Sequence, residues 1–379
     1  MKPRWRFQAA LHRALGAWLA GADFTRASRV LYPLSERCRP ELAEVAGAAA
    51  ECNVLLPLAR PSRCFAAACR ALDDLPPPDA SFREFVLPGF DPGRHGRIAS
   101  LARVRERLLE RARRGGFEVF LHGSYATLDF TAYSDLDLLV LLPRTAAGSP
   151  ASLRAIRREW IAAWRELKEF DPLQHHGPFF LTEMDLRGYP APLFPESVWE
   201  RTMALEERPR ILRLRAIPEP ELARGRFTSM AERFCATDLR RGRTNAYRCK
   251  SDLSVFMLLP ALWCQARGDD VGKRESFGRI GPRLSEGARR AFARASEIRE
   301  AWTYAEPAAH RLLRRCFWNP LLPASVDAAR SDPPAEGVRG LLDDAFLAGA
   351  HAAARELLST LDPHGGPRPR TPPAHDRVA

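Results

Sequence analysis

The chain has 379 residues and is 46% hydrophobic, enough for two or three domains with ordinary buried cores. Its formal net charge is +12 at pH 7, yet only four of its 58 basic residues are lysines. That skew towards arginine is typical of GC-rich coding, so the charge alone does not strongly indicate a nucleic-acid partner. The eight cysteines form no CxxC pair and no zinc-ligand spacing, which favours reduced thiols in a bacterial-type cytoplasm.

No apolar stretch has the roughly 20 residues that are needed to span a bilayer. The longest candidate, residues 253–266, is interrupted by Pro260 and is better interpreted as a buried helix. The N-terminus resembles a signal peptide in its basic residues and apolar segment, but His12 and Arg13 divide that segment. We therefore expect an amphipathic N-terminal helix, a cytoplasmic location and no membrane partner.

Residues 1–72 show no strand alternation and are predicted to be helical, within an N-terminal helical region at residues 1–90. A proline-rich connection then marks a domain boundary. Apolar residues at helical spacing predict a helix at residues 98–114, which Gly115 and Gly116 end before a strand at residues 119–122.

The most informative segment follows that strand. Gly123 and Ser124 precede Asp135 and Asp137, which stand at the start of an apolar strand. Successive side chains of a strand alternate between faces, so the two carboxylates project from the same side and can reach one divalent cation. Gly123 lets the backbone approach phosphate oxygens, and Ser124 can open a short helix whose free N–H groups attract anions. This pattern predicts a site that holds a nucleotide by its phosphates.

The order of strand, Gly-Ser, about ten residues, Asp-x-Asp and apolar strand resembles the signature of the DNA polymerase β-like nucleotidyltransferase superfamily, including its small bacterial members. The resemblance covers about residues 97–189. It implies an α+β fold with a small mixed sheet flanked by helices, in a catalytic core at residues 97–192. It also implies transfer of a nucleoside monophosphate from an NTP, with ATP as the expected donor, through Mg²⁺ or Mn²⁺ ions. The GxxxxGK[ST] sequence of a P-loop does not occur.

In that superfamily a third carboxylate lies on a neighbouring strand, where it binds metal and can accept the proton of the attacking hydroxyl. Residues 179–186 are predicted to form this strand, with Glu183 and Asp185 on one face. We favour Asp185 as a catalytic residue and metal ligand, with Glu183 as the alternate. His175 and His176 precede the strand in a loop and either orient substrate, assist proton transfer or are structural.

From residue 195 onward the pattern predicts helices alone, in a C-terminal all-α domain at residues 195–361 followed by a disordered tail at residues 362–379. The resemblance implies that such a domain walls the nucleotide cleft. Lys250 and Lys273 are two of only four lysines, and we predict that they bind the triphosphate, with an ordinary surface role as the alternative.

The expected activity is metal-dependent transfer of a nucleoside monophosphate to an acceptor hydroxyl on a small molecule or a protein. Two alternatives stay open: a signalling-oligonucleotide synthetase of the same superfamily, and an inactive nucleotide-binding scaffold. The sequence does not identify the acceptor or the oligomeric state.

Overall fold

The computed structural model describes residues 3–20, 61–74, 80–316 and 332–361. The tail predicted to be disordered lies outside these residues. The longer helices are α1 (Pro3–Leu19), α2 (Pro61–Asp74), α3 (Ala99–Gly115), α4 (Gly123–Thr127), α5 (Arg144–Ala147), α6 (Pro150–Phe170), α7 (Glu196–Trp199), α8 (Pro220–Ala236), α9 (Ala246–Ala266), α10 (Lys273–Ile280), α11 (Glu286–Glu300), α12 (Ala308–Cys316), α13 (Glu336–Leu341) and α14 (Asp344–Ser359). The strands are β1 (Arg83–Leu87), β2 (Glu118–His122), β3 (Asp137–Leu142), β4 (Phe179–Thr182), β5 (Tyr189–Pro190), β6 (Met203–Ala204), β7 (Arg210–Leu214) and β8 (Ala216–Ile217).

A four-stranded mixed sheet in the order β4-β3-β2-β6 lies at the centre of the region that contains α3 and α6. β3 pairs antiparallel with β2 and parallel with β4. Side chains of β3 alternate between two hydrophobic clusters: Leu138 and Val140 face one, whereas Leu139 and Leu141 face the other. Both faces of the sheet are therefore covered, as the apolar run of β3 indicated. The small mixed sheet flanked by helices agrees with the expected α+β class.

Helices α3 and α6 cover one face of the sheet, and α3 lies close to the boundaries that the sequence predicted. The N-terminal helices α1 and α2 join the same hydrophobic cluster through residues such as Leu15 and Phe65. The ring of Phe180 from β4 lies close to Gly16 of α1, 3.1 Å from the position a Cβ there would take. The N-terminal segment is thus packed against the sheet rather than forming a separate hydrophobic core.

The other face of the sheet is covered by strands that the sequence analysis missed. β1 lies inside the region predicted to be helical, and β7 lies beyond residue 195, where strand alternation was expected to end. The two pair antiparallel, with Phe85 opposite Leu212 facing the core and Val86 opposite Ile211 facing solvent. Arginines separate the apolar residues of β7, which made this strand resemble a charged loop.

Helices α8 to α11, α13 and α14 form a third hydrophobic cluster. The 21-residue helix α9 contains Pro260 and is buried along much of its length, as expected for a central helix. Tyr133, from the loop before β3, belongs to this cluster and packs edge-on against Trp302. Among the described residues, no helix is long and apolar enough to cross a membrane.

Candidate active site

Asp135 and Asp137 stand at the N-terminal end of β3, next to the end of β2. Asp137 is the first residue of β3 and pairs across the strands with His122, the last residue of β2. Asp135 lies two residues earlier and is 8% exposed. The intervening Leu136 is buried in the opposite direction, among the helices of the first cluster. The predicted alternation therefore brings both carboxylates to one side of the chain.

Gln174 holds the backbone between the two aspartates. Its side-chain oxygen accepts a hydrogen bond from Leu136 N at 3.1 Å, and its Nε2 donates to Leu136 O at 3.3 Å. The amide thus replaces the strand partner that the chain lacks before β3 begins. The same Nε2 donates to His176 O at 3.0 Å, so the aspartate segment and the histidine loop are fixed together by one buried side chain.

Gly123 has a left-handed backbone conformation with φ +69°. A Cβ at this position would lie 2.2 Å from Asp137 Oδ2, so only glycine leaves room for that carboxylate. Ser124 follows in the first turn of α4 and is half-buried. The Gly-Ser pair and the aspartates of the predicted motif are therefore neighbours in space.

The histidine loop brings two imidazoles to the same place. His175 Nδ1 lies 3.4 Å from Asp135 Oδ2. His176 Nε2 lies 3.6 Å from that same oxygen and 3.2 Å from Asp137 Oδ1, so it stands between the two carboxylates. The sequence left the role of His175 and His176 open, and the structure places both side chains next to the aspartates.

These contacts shift the protonation of the whole group. Burial acts to raise the pKa of Asp135, but contact with His175 and His176 and the charge of Lys250 outweigh it and hold that pKa well below its ordinary value. Burial also opposes ionisation of Asp137, and contact with His176 again lowers its pKa. Desolvation acts to lower the pKa of His176, yet the two carboxylates raise it well above the usual range. Each carboxylate and His176 therefore stabilise the charged form of the other.

Lys250 contacts the carboxylate oxygen of Asp135 that the histidines do not contact. Its side chain is only 1% exposed, and its Nζ lies 2.9 Å from Asp135 Oδ1 and 2.5 Å from Asp171 Oδ2. Desolvation acts to lower the pKa of Lys250, but the two carboxylates raise it. The prediction that this ammonium binds a triphosphate is therefore corrected, because it is buried in a pair with two acids and does not face the cleft.

Tyr133 and Lys250 join the catalytic core to the C-terminal helices at the site. The Tyr133 hydroxyl donates a hydrogen bond to Lys250 O and lies 2.8 Å from Ser254 Oγ. Both partners lie on α9, while Tyr133 is two residues before Asp135. The helical domain thereby fixes the loop that carries the first aspartate.

Lys273, at the start of α10, differs from Lys250 in being exposed. Desolvation is the largest effect on its pKa and the charge of Arg299 the next; together they lower it to about 8, against the attraction of Asp137 and Asp135. Protein atoms surround the Lys273 side chain although it is open to solvent, as in a cleft. Water there reduces the lowering of its pKa. The charges of Asp137 and Asp135 act on Lys273, and its role in binding phosphate stays a prediction.

Arg299 accompanies Lys273. Its guanidinium lies over the Tyr133 ring, 5.1 Å from the ring centre, and its buried Nε has no hydrogen-bond partner. No local sequence pattern distinguishes Arg299 among so many arginines.

The structure does not bring Asp185 or Glu183 to the aspartate pair. β4 runs parallel to β3, and Thr182, the last residue of β4, pairs with Leu142 at the far end of β3. Five residues of strand separate that end from Asp137, which is roughly 16 Å. The predicted strand at residues 179–186 ends at Thr182 and is followed by a 3₁₀ helix, Asp185–Arg187. The third-carboxylate prediction is therefore wrong in its geometry for both residues.

Both acids have structural contacts instead. Asp185 is fully buried and accepts hydrogen bonds from Thr182 N, Thr182 Oγ1, Gln8 Nε2 and His12 Nε2 at 2.5–2.7 Å. Glu183 accepts one from Arg144 N at 2.8 Å. Asp185 thus attaches α1 to the sheet.

The residues at the N-terminal end of β3 fit a divalent metal ion. Asp135, His175 and His176 each offer one ligand atom, and these atoms all lie within 4.8 Å of one another. His175 Nδ1 is buried without a hydrogen-bond partner, and so is Nε2 of the neighbouring His122, whereas Asp135 Oδ1 is paired with Lys250 Nζ at 2.9 Å. Buried polar atoms of native proteins are normally satisfied, so the unpartnered ring nitrogen of His175 beside Asp135 fits a metal ligand.

Sequence reasoning missed Asp171, Gln174 and His122. Asp171 had a local signal, because it directly follows the C-terminus of α6, where a negative charge opposes the helix dipole. Burial raises its pKa, against the effect of Lys250. Gln174 had no signal in the sequence, since its role depends on the backbone of a distant segment. His122 could have been recognised as the residue before Gly123 whose strand partner is an aspartate.

Comparison with known proteins gives one family. The model of the nucleotidyltransferase domain family matches residues 101–178, which begin within α3, include Gly123, Asp135, Asp137 and both histidines, and end just before β4. No curated protein and no solved structure gives a significant match to the chain. The match implies a nucleotide substrate and a divalent metal ion in general terms. Residues 101–178 therefore match the nucleotidyltransferase domain family, which is consistent with the polymerase β-like superfamily that the sequence pattern resembles.

Proposed function

We propose that this protein transfers a nucleoside monophosphate from a nucleoside triphosphate to an acceptor hydroxyl, using divalent metal bound at Asp135 and Asp137. The observation that carries the proposal is the fit of Asp137 against Gly123, where any side chain would collide with the carboxylate. Glycine adopts this left-handed backbone without strain, and its lack of a Cβ lets the loop and the carboxylate approach closely.

In this reaction the acceptor oxygen forms a bond to the α-phosphorus, and the bond from that phosphorus to pyrophosphate breaks. The hydroxyl proton leaves to a neighbouring base or to water. Divalent metal supplies charge stabilisation for the departing pyrophosphate and lowers the pKa of the attacking hydroxyl. The contribution of the chain is then mainly position and electrostatics.

In this proposal the nucleotide-binding residues lie on two sides of one cleft, the core side and the helical side. On the core side, the backbone of Gly123 and the hydroxyl of Ser124 would hold phosphate oxygens next to Asp137. On the helical side, Lys273 and Arg299 present positive charge towards the aspartates. A triphosphate between these walls would have its terminal phosphates among cations and its α-phosphate near the metal.

Lys250 and Asp171 are positioning residues in this proposal. Asp135 would accept Lys250 on Oδ1, which leaves Oδ2 directed towards the histidines and the metal. Because Lys250 lies on α9, movement of the helical domain would change the orientation of Asp135. The proposed catalytic geometry therefore depends on docking of the two units.

The protein as a full chain should be incubated with each α-labelled nucleoside triphosphate and Mg²⁺ or Mn²⁺, with small hydroxyl compounds, with protein acceptors, or with neither. We expect pyrophosphate release together with a labelled acceptor. Asp137→Asn should give neither product. Labelled oligonucleotide in the arm without acceptor would support the synthetase alternative. Nucleotide binding without pyrophosphate in every arm would contradict transfer and support the scaffold.

A further inference from the structure

The metal site next to the aspartates contains two imidazoles where a third carboxylate was expected. Asp185 and Glu183 lie at the other end of the sheet. Asp171 is close, but its Oδ2 contacts Lys250 and its Oδ1 accepts a hydrogen bond from Leu173 N at 2.9 Å. The acids around the pair thus have other partners, whereas the ring nitrogens of His175 and His176 face the pair directly.

The geometry of the three ligand atoms is suitable for one ion. Two ligands about 2.1 Å from the same metal lie about 3.0–3.5 Å from each other. The distances from Asp135 Oδ2 to His175 Nδ1 and to His176 Nε2 are 3.4 and 3.6 Å. Little movement is therefore needed to place both nitrogens and the carboxylate oxygen around a single centre.

Burial and unsatisfied hydrogen bonding give an independent reason. The side chain of His175 is 9% exposed, and its Nδ1 has no hydrogen-bond partner although it is directed towards Asp135. A buried ring nitrogen without a partner costs about 1–3 kcal/mol. Metal ligation would satisfy this atom. The side chain of His176 is 38% exposed, so the centre stays open to the cleft on one side.

Resting on the proposed function, we infer that Asp135, His175 and His176 form a nitrogen-containing centre that selects a first-row transition ion such as Mn²⁺ or Co²⁺ over Mg²⁺. Imidazole is a poor ligand for Mg²⁺, which prefers oxygen and retains water, whereas first-row transition ions accept nitrogen readily. Asp137 supplies a second carboxylate next to the centre and keeps it suited to phosphate chemistry.

The test uses the full-length protein and measures metal binding rather than turnover. Mn²⁺-loaded protein is examined by pulsed electron paramagnetic resonance, with histidine at natural abundance and with ¹⁵N-labelled histidine. Calorimetry gives the Kd for Mn²⁺, Co²⁺ and Mg²⁺. The variants are His175→Gln, His176→Gln and the double variant, because glutamine keeps much of the volume but removes the imidazole. His351→Gln, on α14 away from the site, is the matched control.

We expect ¹⁴N coupling in the wild type, replaced by ¹⁵N coupling on labelling, retained in His351→Gln and lost in the double variant. Each single variant should weaken Mn²⁺ and Co²⁺ binding about 10- to 100-fold, as loss of a metal-site partner typically does, and change Mg²⁺ binding much less. Absence of nitrogen coupling in the wild type, or unchanged Mn²⁺ affinity in the folded double variant, would overturn the inference.

The result separates the inference from the proposed function. Transfer with Mg²⁺ and no nitrogen coupling would leave nucleotidyl transfer in place and overturn the imidazole centre. Nitrogen-coupled Mn²⁺ without transfer to any acceptor would support the centre and contradict the function. Thermal unfolding of each variant without metal verifies that loss of binding is not loss of fold.

Discussion

The two ends of β3 each carry a buried cluster of carboxylate and histidine, and the clusters differ in how well their hydrogen bonds are satisfied. At the C-terminal end, four donors occupy both oxygens of Asp185. At the N-terminal end, Asp135 and Asp137 lie together; Asp135 Oδ1 is paired with Lys250, but the buried His175 Nδ1 has no hydrogen-bond partner.

This difference distinguishes an acid that stabilises the fold from acids that can bind a ligand. A fully satisfied buried charge is costly to disturb but has nothing left to offer a substrate. Like charges that are held together lower stability unless a cation compensates them. Residue type alone cannot separate the two clusters, because both consist of aspartate and histidine close to the same strand.

The largest expected effect is on activity at the N-terminal end. Asp137→Asn should reduce turnover at least about 10³-fold, because several kcal/mol of metal-dependent stabilisation is lost. The free energy of unfolding should change by no more than about 1 kcal/mol, since the substitution also removes repulsion with Asp135. Steady-state kinetics and chemical denaturation measure the two quantities. Turnover near the wild-type rate would remove the basis for assigning function to this end.

The opposite pattern is expected at the C-terminal end. Asp185→Asn should lower the free energy of unfolding by about 3 kcal/mol, because an amide cannot accept hydrogen bonds on both sides and leaves donors of Gln8, His12 or Thr182 unpaired. Activity per folded molecule should stay unchanged. Glu183→Gln, close by on the same turn, is the control and should cost less than about 1 kcal/mol. A selective loss of kcat in Asp185→Asn would mean that this acid takes part in the reaction after all.

Asp185 also predicts a pH dependence of stability. Burial opposes its ionisation, but the charge of His12 and the hydrogen bonds of Thr182 and Gln8 lower its pKa in the folded state. A carboxyl with a depressed folded-state pKa contributes its full stability above the unfolded-state pKa of about 4 and loses it as the pH falls towards the folded-state value. The stability difference between wild type and Asp185→Asn should therefore shrink as unfolding is measured at pH 7, then 4, then 3. A difference that grows on acidification would contradict the assignment.

Local pattern was sufficient to predict much of the core from the sequence. The helical spacing of α3 and the apolar run of β3 predicted those elements close to their observed positions, and the Gly-Ser and Asp-x-Asp pattern predicted Gly123, Asp135 and Asp137. β7 was missed because arginines at residues 210 and 213 interrupt its short apolar run and Ile211 is exposed, so a strand at the surface resembled a polar connection.

The third-carboxylate prediction failed for a topological reason. Placing Asp185 near Asp137 required knowing which end of β4 lies next to the start of β3. Side-chain alternation carries no information about whether two strands pair parallel or antiparallel. The parallel pairing of β3 and β4 brings the loop before β4 to the site and carries the residues after it away. His175 and His176 are in that loop. Gln174 and Lys250 could not be assigned from sequence, since each acts through backbone or side chains far along the chain.

A smaller effect is expected when the support between the aspartates is removed. Gln174→Ala deletes both hydrogen bonds to Leu136 and the one to His176 O, so the carboxylates lose their fixed spacing while remaining present. We expect kcat to fall about tenfold with little change in KM, because misplacement affects the transition state more than nucleotide binding. Gln265→Ala, on α9, should leave both constants unchanged. Equal loss of stability with unaltered kcat would show that Gln174 serves only the fold.

The smallest expected effect separates the two lysines that the sequence treated alike. Lys273→Ala should raise the KM for nucleotide several-fold and leave kcat nearly unchanged, because an exposed cation at the cleft contributes binding energy without contacting the aspartates. Stability should change by no more than about 0.5 kcal/mol. Lys273→Arg should restore KM in part, and added salt should reduce the difference between Lys273→Ala and wild type. Arg274→Ala, the exposed neighbour on α10, is the matched control and should have the wild-type KM.

Lys250→Ala should instead destabilise the protein by about 3–5 kcal/mol, because it leaves Asp135 and Asp171 buried together without their cation. Equal KM changes in both alanine variants, with unaltered stability, would return Lys250 to the phosphate-binding role that the sequence predicted and contradict the division of the two lysines between cleft and interior.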